Sequence, residues 1–289
     1  MRVLVTGDCG MIGQVVTAQL REQGDAVVGF DRVTGHDVLD RPALRTAVQG
    51  CHAIVHLAAV DIPPDAAFTP IHTANVGTPE DIMRINALGT QFVLAAAASA
   101  GVQRVVYMSS VDALGIFLGE RAPDYLPIDD DHPTYPRSPY ALAKRLAEEM
   151  CRAFTEDTGI STICLRPPGV FTEETYQWIR ATRDAAAENE WLPFWEYGAF
   201  IDVRDVASAI CCALHCPDPG HCTLLLCADD ISSAHLTSQE LAERVLPNVP
   251  WRGGAEFEQD PFRALLDTHR AHQLLGWTSQ HRWRRVPSA

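Results

Sequence analysis

"RVLVTGDCGMIGQVVTAQLREQG", Arg2 to Gly24, carries an apolar run, a loop with three glycines and then a helical periodicity. The run is short enough for a buried strand, and the apolar spacing after Gly10 is that of an amphipathic helix. Gly7, Gly10 and Gly13 therefore stand between strand and helix. There a glycine loop permits a tight turn and lets backbone N–H groups at the helix N-terminus face an anion such as a pyrophosphate. A plain strand-to-helix turn has no need of three glycines at this spacing. The next strand, "AVVGFD", ends on Asp31, 18 residues past Gly13. A carboxylate there accepts hydrogen bonds from the hydroxyls of an adenosine ribose and repels a 2′-phosphate. The expected cofactor is accordingly NAD rather than NADP, with Arg32 as a residue able to soften the preference.

Working outward, "AIVHLAA", "RVVYMSS" and "ISTICLRP" are further buried-strand runs. Helical stretches over Pro42–Gln49, Glu80–Ala100 and Pro139–Thr158 separate them. This alternation predicts an α/β fold of the Rossmann type, a doubly wound parallel sheet covered on both faces. After Arg166-Pro167-Pro168 the rhythm loosens. A helix plus loop is expected within 172–197, then a short strand entering a helix in "AFIDVRDVASAICCALH" with Asp205 near its N-cap. A strand "CTLLLC" and helices near Ser238–Val245 and Pro261–Leu275 follow. The expected division is a nucleotide-binding core over 1–170 and a small, discontinuous C-terminal substrate lobe over 171–289, with 199–215 returning to the core.

Composition narrows the function. The chain has 289 residues, and 47% apolar with 21% charged residues suits a globular protein with a sizeable core. A formal charge of −14 argues against nucleic acid or an anionic membrane as partner. No leader-like segment and no membrane-spanning apolar run is read, so a cytoplasmic location is expected. Of nine cysteines, five crowd "CCALHCPDPGHCTLLLC" with His215 and His221. Cys212, Cys216, His221 and Cys222 could be arranged around zinc, but no CxxC pair is present, and a helix end plus a strand account for the run. Buried free thiols and no metal are the expectation.

"SPYALAKRLAEEM", Ser138 to Met150, reads as a helix beginning at Ser138-Pro139. It places Tyr140 and Lys144 on one face, four residues apart. On its own this spacing does not separate a catalytic pair from solvated surface side chains.

Taken together these segments resemble the extended short-chain dehydrogenase/reductases, the NAD-dependent epimerase/dehydratase branch, from residue 2 to about 277. "TGDCGMIG", with Met11 and Ile12 inside it, resembles the family's TGxxGxxG. "HDVLD" resembles the adenine-contacting segment, implying contacts from Asp37 and the Val38 backbone. "HLAA" resembles the segment lining the cofactor, which implicates Leu57, Ala58 and Ala59. "INALGTQFVLAAA" resembles the N-x-x-G-T helix, with Asn86 as a structural and proton-relay residue. "YMSS" resembles the strand carrying a catalytic hydroxyl, and "YALAK" the Tyr-x-x-x-Lys. "LRPPGVF" resembles the segment bordering the nicotinamide, implicating Pro167, Gly169 and Val170, and "AHQLLGW" the closing LGW. The resemblance implies that Ser110, Tyr140 and Lys144 are catalytic, with Ser109 on the cofactor side. It also implies a homodimer paired through the helices Glu80–Ala100 and Pro139–Thr158.

The chemistry of these side chains agrees. Oxidising a secondary alcohol requires a base for the hydroxyl proton, and free tyrosine, with a pKa of about 10, is a poor one at neutral pH. A lysine ammonium at ~4 Å, in an effective dielectric of ~20, favours the phenolate by about 4 kcal/mol, roughly three pKa units. Ser110 can hydrogen-bond the substrate oxygen; alternatively both serines merely end a strand. Asp112 lies where sugar-nucleotide dehydratases carry the Glu of a Thr-Asp-Glu run, but Val111 replaces the Asp, so dehydration is not expected. Asp112 is a substrate candidate or a solvated loop carboxylate. Trp178–Trp195, with Arg180 and Arg183, is the expected selectivity segment; a packed core for the aromatics and a solvated face for the arginines are the alternatives. Sugar-nucleotide members carry a diphosphate-clamping arginine where "GAFIDVRD" has Gly198. The expected activity is hydride transfer at a secondary hydroxyl or carbonyl of a small sugar, sugar acid or polyol, with some resemblance to compact uronate dehydrogenases. A sugar-nucleotide 4-epimerase with bound NAD, a ketoreductase for a non-sugar metabolite and a non-enzymatic NAD sensor are the other readings.

Overall fold

A computed structural model of the chain describes residues 1–61, 76–117, 121–185, 197–233 and 235–284. Its centre is a six-stranded, fully parallel sheet. The strands are β1 (Arg2–Thr6), β2 (Ala26–Phe30), β3 (Ala53–His56), β4 (Arg104–Met108), β5 (Ser161–Arg166) and a last strand, β8 (His221–Leu225). They lie in the order β2-β1-β3-β4-β5-β8. Alternation along each strand sorts residues between two cores. Val3 and Val5, Ala53 and Val55, Val106 and Met108, Ile163 and Leu165 face one side. Leu4, Ile54, Val105, Tyr107 and Cys164 face the other. The apolar runs are continuous because both faces are covered, as a parallel sheet requires.

The first face is covered by α1 (Met11–Glu22), α7 (Val203–His215) and α10 (His269–Leu275), through Val16, Leu20, Ile210, Leu214, Ala271 and Leu275. The second is covered by α2 (Arg41–Ala47), α4 (Gly89–Ala100) and α5 (Pro139–Thr158), through Leu44, Val93, Leu94, Ala147 and Cys151. Each buried branched side chain contributes roughly 1.5–3 kcal/mol relative to exposure, which is why pattern alone is a good guide to these elements. Trp277 closes the first face, its indole N–H donating to Asp205 O at 3.1 Å and Ser208 Oγ at 2.9 Å. On the second side Leu88, Leu142 and Leu146 stay exposed on the helices expected to pair subunits.

A two-stranded parallel sheet pairs β6 (Val170–Phe171), which enters α6 (Glu173–Ala185), with β7 (Ile201–Asp202), which enters α7. A further core joins Val111, Leu114, Ile116, Leu126 and Ile128 to Tyr197, Ile231, Leu241, Phe257 and Leu266. Residues 111–117 and 126–128 thus pack with C-terminal segments in one core that draws on both sides of position 170. The helices α8 (Ser238–Val245) and α9 (Ala255–Gln259) contribute Leu241 and Phe257 to this core.

One local reading is corrected. The helix expected over Pro261–Leu275 forms only at His269–Leu275. Ala264, Leu265 and Leu266 are all buried, and Leu266 and Arg263 bridge to Ile128 and Asp230. Three consecutive buried residues suit an extended segment threaded into a core, and that burial overrides helix propensity. Asp202 caps α7, accepting from Arg204 N at 2.8 Å, and Asp205 lies in the first turn, near the cap as expected. The long helix α3 (Pro79–Ile82) to α4 contains a π turn, Met83–Leu88, that no apolar period announces. No helix among the described residues is long and apolar enough to cross a membrane.

Candidate active site

The chain leaves β1 for β2 on one side, then returns past β1 to lay β3 on the other. The C-terminal ends of β1 and β3 therefore open a crevice, the place where ligands bind in open α/β sheets. Gly7 turns there with φ +76°, and a Cβ on it would lie 2.8 Å from Ala58 N. Gly13 is packed under the loop, where a Cβ would come within 2.1 Å of Gly7 O. Gly10 caps α1 with no side-chain acceptor over the first-turn N–H groups. Those donors, the positive end of a twelve-residue helix and a backbone bare of side chains fit a dinucleotide pyrophosphate. Met11, Ile12 and Gly13 supply this end of the helix. Asp31, at the tip of β2, is half-buried and accepts from Cys9 N at 3.2 Å and Val33 N at 2.8 Å; Arg32 beside it is exposed. Asp37 caps its own turn through Leu39 N at 2.9 Å, and Val38 is buried.

A chain of hydrogen bonds fixes the opposite wall. Ala58 N–H donates to Thr6 Oγ1 at 3.3 Å, and Thr6 Oγ1 meets His56 Nδ1 at 2.7 Å. His56 Nε2 meets Thr90 Oγ1 at 3.0 Å, and that hydroxyl donates to Asn86 O at 2.6 Å. With Thr90 already donating, the imidazole proton belongs on Nε2 and Nδ1 accepts from Thr6. Burial, followed by the Lys144 charge, lowers the His56 pKa to about 3, so the ring is neutral. Asn86 completes the wall: its amide accepts from Val60 N at 2.9 Å and donates to Val60 O at 2.8 Å. Leu57, Ala58 and Ala59 are thereby held between two clamps.

The catalytic candidates converge where β4 ends against α5. Ser138 caps α5 by accepting from Ala141 N at 3.1 Å, with Pro139 in the first turn. One turn inside, Lys144 is buried and its ammonium donates to Met108 O at 2.7 Å. The same nitrogen lies 5.5 Å from the Tyr140 ring centroid and 5.2 Å from that of Tyr107. Burial lowers the Lys144 pKa to about 8, opposed by the charges of Asp61, Glu148 and Asp112. Ser110 donates to Asp112 Oδ2 at 3.1 Å and accepts from Asp112 N at 3.1 Å. Asp112 is thus tied to the serine rather than solvated alone. Pro167 O accepts from Val111 N at 3.1 Å, and Gly169 O from Ile201 N at 3.0 Å, so the segment reaching Val170 borders the same end of the sheet.

Beneath these groups lies a network that the sequence reading missed. Ser109 Oγ donates to Glu148 Oε1 at 2.6 Å. Arg166 donates Nε to Oε1 and Nη2 to Oε2 of Glu148, both at 2.7 Å, and all three residues are buried. The available signal was Glu148 four residues past Lys144 on the same helix; its partner Arg166 was hidden by its place in another element.

Other expected site residues stand apart. Arg180 lies 5.0 Å from the Trp283 ring centroid and 5.7 Å from that of Tyr176. It lines a pocket of about 590 Å³ with Glu173, Asp202, Arg204 and Arg284, and none of Ser110, Tyr140 and Lys144 lines that pocket. Trp178 packs with Phe171, Tyr176, Ile179 and Phe200, so the described aromatics form a core. The Arg183 side chain and residues 186–196 lie outside the described residues. Arg204, the other arginine near Gly198, is bound to Asp202 at 2.7 Å.

Among the described residues, Cys212, Cys216, His221 and Cys222 do not converge on a common point. Cys211 and Cys222 are buried in the first sheet core, and Cys227 in the core shared by Leu114, Ile128 and Leu241. Elemental analysis of purified protein should find zinc well below one per chain; a one-to-one content that survives chelator would overturn the packing role of these thiols.

The NAD dependent epimerase/dehydratase family model matches residues 3–223. The chain belongs to this family. A uronate dehydrogenase from Pseudomonas syringae pv. tomato is 27% identical over 232 residues, 76% of this chain and 72% of that protein. A putative UDP-glucose 4-epimerase from Methanocaldococcus jannaschii is 26% identical over 304 residues, 95% of this chain and 92% of that protein. Among solved structures, a short-chain dehydrogenase/reductase superfamily protein from Agrobacterium tumefaciens with bound NAD has a TM-score of 0.68 and 26% identity. The match covers 98% of this chain and 94% of that one. The Rossmann-type fold and an NAD-dependent enzyme of this family are thus both expected outcomes met.

Proposed function

We propose that the protein transfers hydride at a secondary hydroxyl or carbonyl of a small sugar, sugar acid or polyol, with Ser110, Tyr140 and Lys144 as its catalytic residues. The observation that carries this is the buried Lys144 ammonium, held on Met108 O at 2.7 Å and set 5.5 Å from the Tyr140 ring. Glycine-loop donors hold the dinucleotide, which when bound supplies the hydride acceptor. The Tyr140 hydroxyl, favoured as phenolate by the Lys144 charge, takes the proton of the substrate alcohol. Tyr140 takes the only hydroxyl proton of the alcohol, so Ser110 serves that oxygen as a donor: its hydroxyl, which here donates to Asp112 Oδ2 and accepts from Asp112 N, turns to donate to the oxygen as it becomes the product carbonyl. Asp112 thereby acts as the residue that orients Ser110.

The preference for a substrate without a nucleotide rests on position 198. Gly198 has φ +73°, and a Cβ there would stand 3.1 Å from Ile231 Cβ. An arginine at this point would be strained and crowded, and Arg204 is already engaged by Asp202. Bidentate guanidinium contacts are the usual hold on a diphosphate, and this segment offers none. The uronate dehydrogenase relative supports the reading, and the putative UDP-glucose 4-epimerase relative supports epimerisation as the rival. A panel of free uronates, aldoses and polyols against UDP-, GDP- and dTDP-sugars, followed by NADH absorbance and product epimers, separates the two. NADH formation with a free sugar or sugar acid is the expected result. Rapid epimerisation of a nucleotide sugar would reverse the assignment.

A further inference from the structure

We propose that Asp8 is a second carboxylate of the cofactor site, acting with Asp31 to exclude a dinucleotide that carries a 2′-phosphate. The inference rests on the reading that the glycine loop holds NAD. Asp8 follows Gly7 directly, and its side chain lies over β2. A Cβ on Gly29 would stand 2.2 Å from Asp8 Oδ2 and 3.1 Å from Oδ1, so the glycine one residue before the end of β2 opens the space that the carboxylate fills. Gly29 weakens a strand interior, and a berth for a neighbouring side chain explains its presence.

The carboxylates of Asp8 and Asp31 and the Cys9 thiol offer atoms that all lie within 4.8 Å of one another. Asp31 is partly committed, each oxygen accepting one backbone N–H. Asp8 Oδ1 is buried and has no partner. An unpaired buried carboxylate oxygen is costly in the free protein. A ribose hydroxyl brought to this cluster supplies a proton; a phosphate supplies none and adds charge of the same sign. Two acids at this spacing raise the potential against a phosphate beyond what Asp31 achieves alone. Desolvation and the charges of both acids also raise the Cys9 pKa, which marks the same concentration of negative charge.

The test needs no substrate. Isothermal titration of the wild type, Asp8→Asn, Asp31→Asn and the double variant with NAD and NADP measures the discrimination directly. Adenosine 5′-monophosphate and adenosine 2′,5′-bisphosphate report the ribose end alone. The amide of Asp8→Asn keeps the shape over Gly29, and Asp8→Ser is a smaller alternative if the amide disturbs the loop. Removing the Asp8 charge should tighten NADP by ~10-fold while changing NAD by less than about 3-fold. The double variant should gain more than either single one. An NADP-to-NAD ratio in both Asp8 variants within about 2-fold of the wild type overturns the role of Asp8 while leaving the cofactor site in place. A wild type that binds neither dinucleotide removes the site reading and this inference with it.

Discussion

Tyr140→Phe should lower turnover by at least ~100-fold while leaving the fold and NAD affinity close to wild type. The substitution deletes one hydroxyl on a half-buried side chain packed against Val60, Ile82 and Ala143, so the helix start at Ser138-Pro139 is untouched. Lys144→Met should be comparably damaging, and should also weaken NAD, because it removes a buried ammonium at the cleft. The two variants differ in a useful way. Tyr140→Phe loses the proton acceptor, whereas Lys144→Met loses the charge that favours it. Since burial places the Lys144 pKa near 8, the contribution of that charge is present below about pH 8 and lost above it. The pH profile of residual activity in Lys144→Met should lack this alkaline fall. Near-normal turnover in Tyr140→Phe, measured on whichever substrate the panel identifies, would remove the mechanism.

The largest expected effect on stability is at Glu148. Its carboxylate takes two bonds from Arg166 and one from Ser109, with Arg145 at 3.4 Å, all under the floor of the site. Glu148→Ala leaves the Arg166 guanidinium buried without its partner and should cost about 3–5 kcal/mol. Urea unfolding at pH 7 measures this, and a loss under about 1 kcal/mol would show that water or another acid replaces the pair. Replacing both partners, Glu148→Leu with Arg166→Met, should recover most of the loss, because two charges need not then be desolvated. Activity should still suffer in the double variant, since Ser109 loses its acceptor immediately before Ser110.

Much of this molecule was legible from residue order. The strands were readable because each buries both faces: Val3, Leu4 and Val5 leave no polar position, and the same holds for Val105, Val106 and Tyr107. The glycine loop was readable because it lies between strand and helix, and α5 because Ser138, Pro139 and a run of strong helix formers are local signals. These features depend on neighbours in sequence, so sequence contains them.

Contacts between distant segments were not legible. Glu148 and Arg166 are ordinary surface-type residues on paper, and only the packing of α5 on β5 brings them together with Ser109. The His56–Thr90–Asn86 chain arises because β3 meets Thr90, at the start of α4, across 34 residues, and Thr90 turns back to Asn86 in the π turn. Arg180, read as a possible substrate clamp, turns to Trp283, about a hundred positions away, where its planar cation lies over an aromatic face. The helix expected through Ala264–Leu266 gave way to an extended segment because burial of three successive side chains outweighs a propensity of a few tenths of a kcal/mol per residue. Local preferences are worth tenths of a kilocalorie and can be summed along a segment. Burial and charge pairing are worth whole kilocalories, and they depend on which residues the completed fold places side by side.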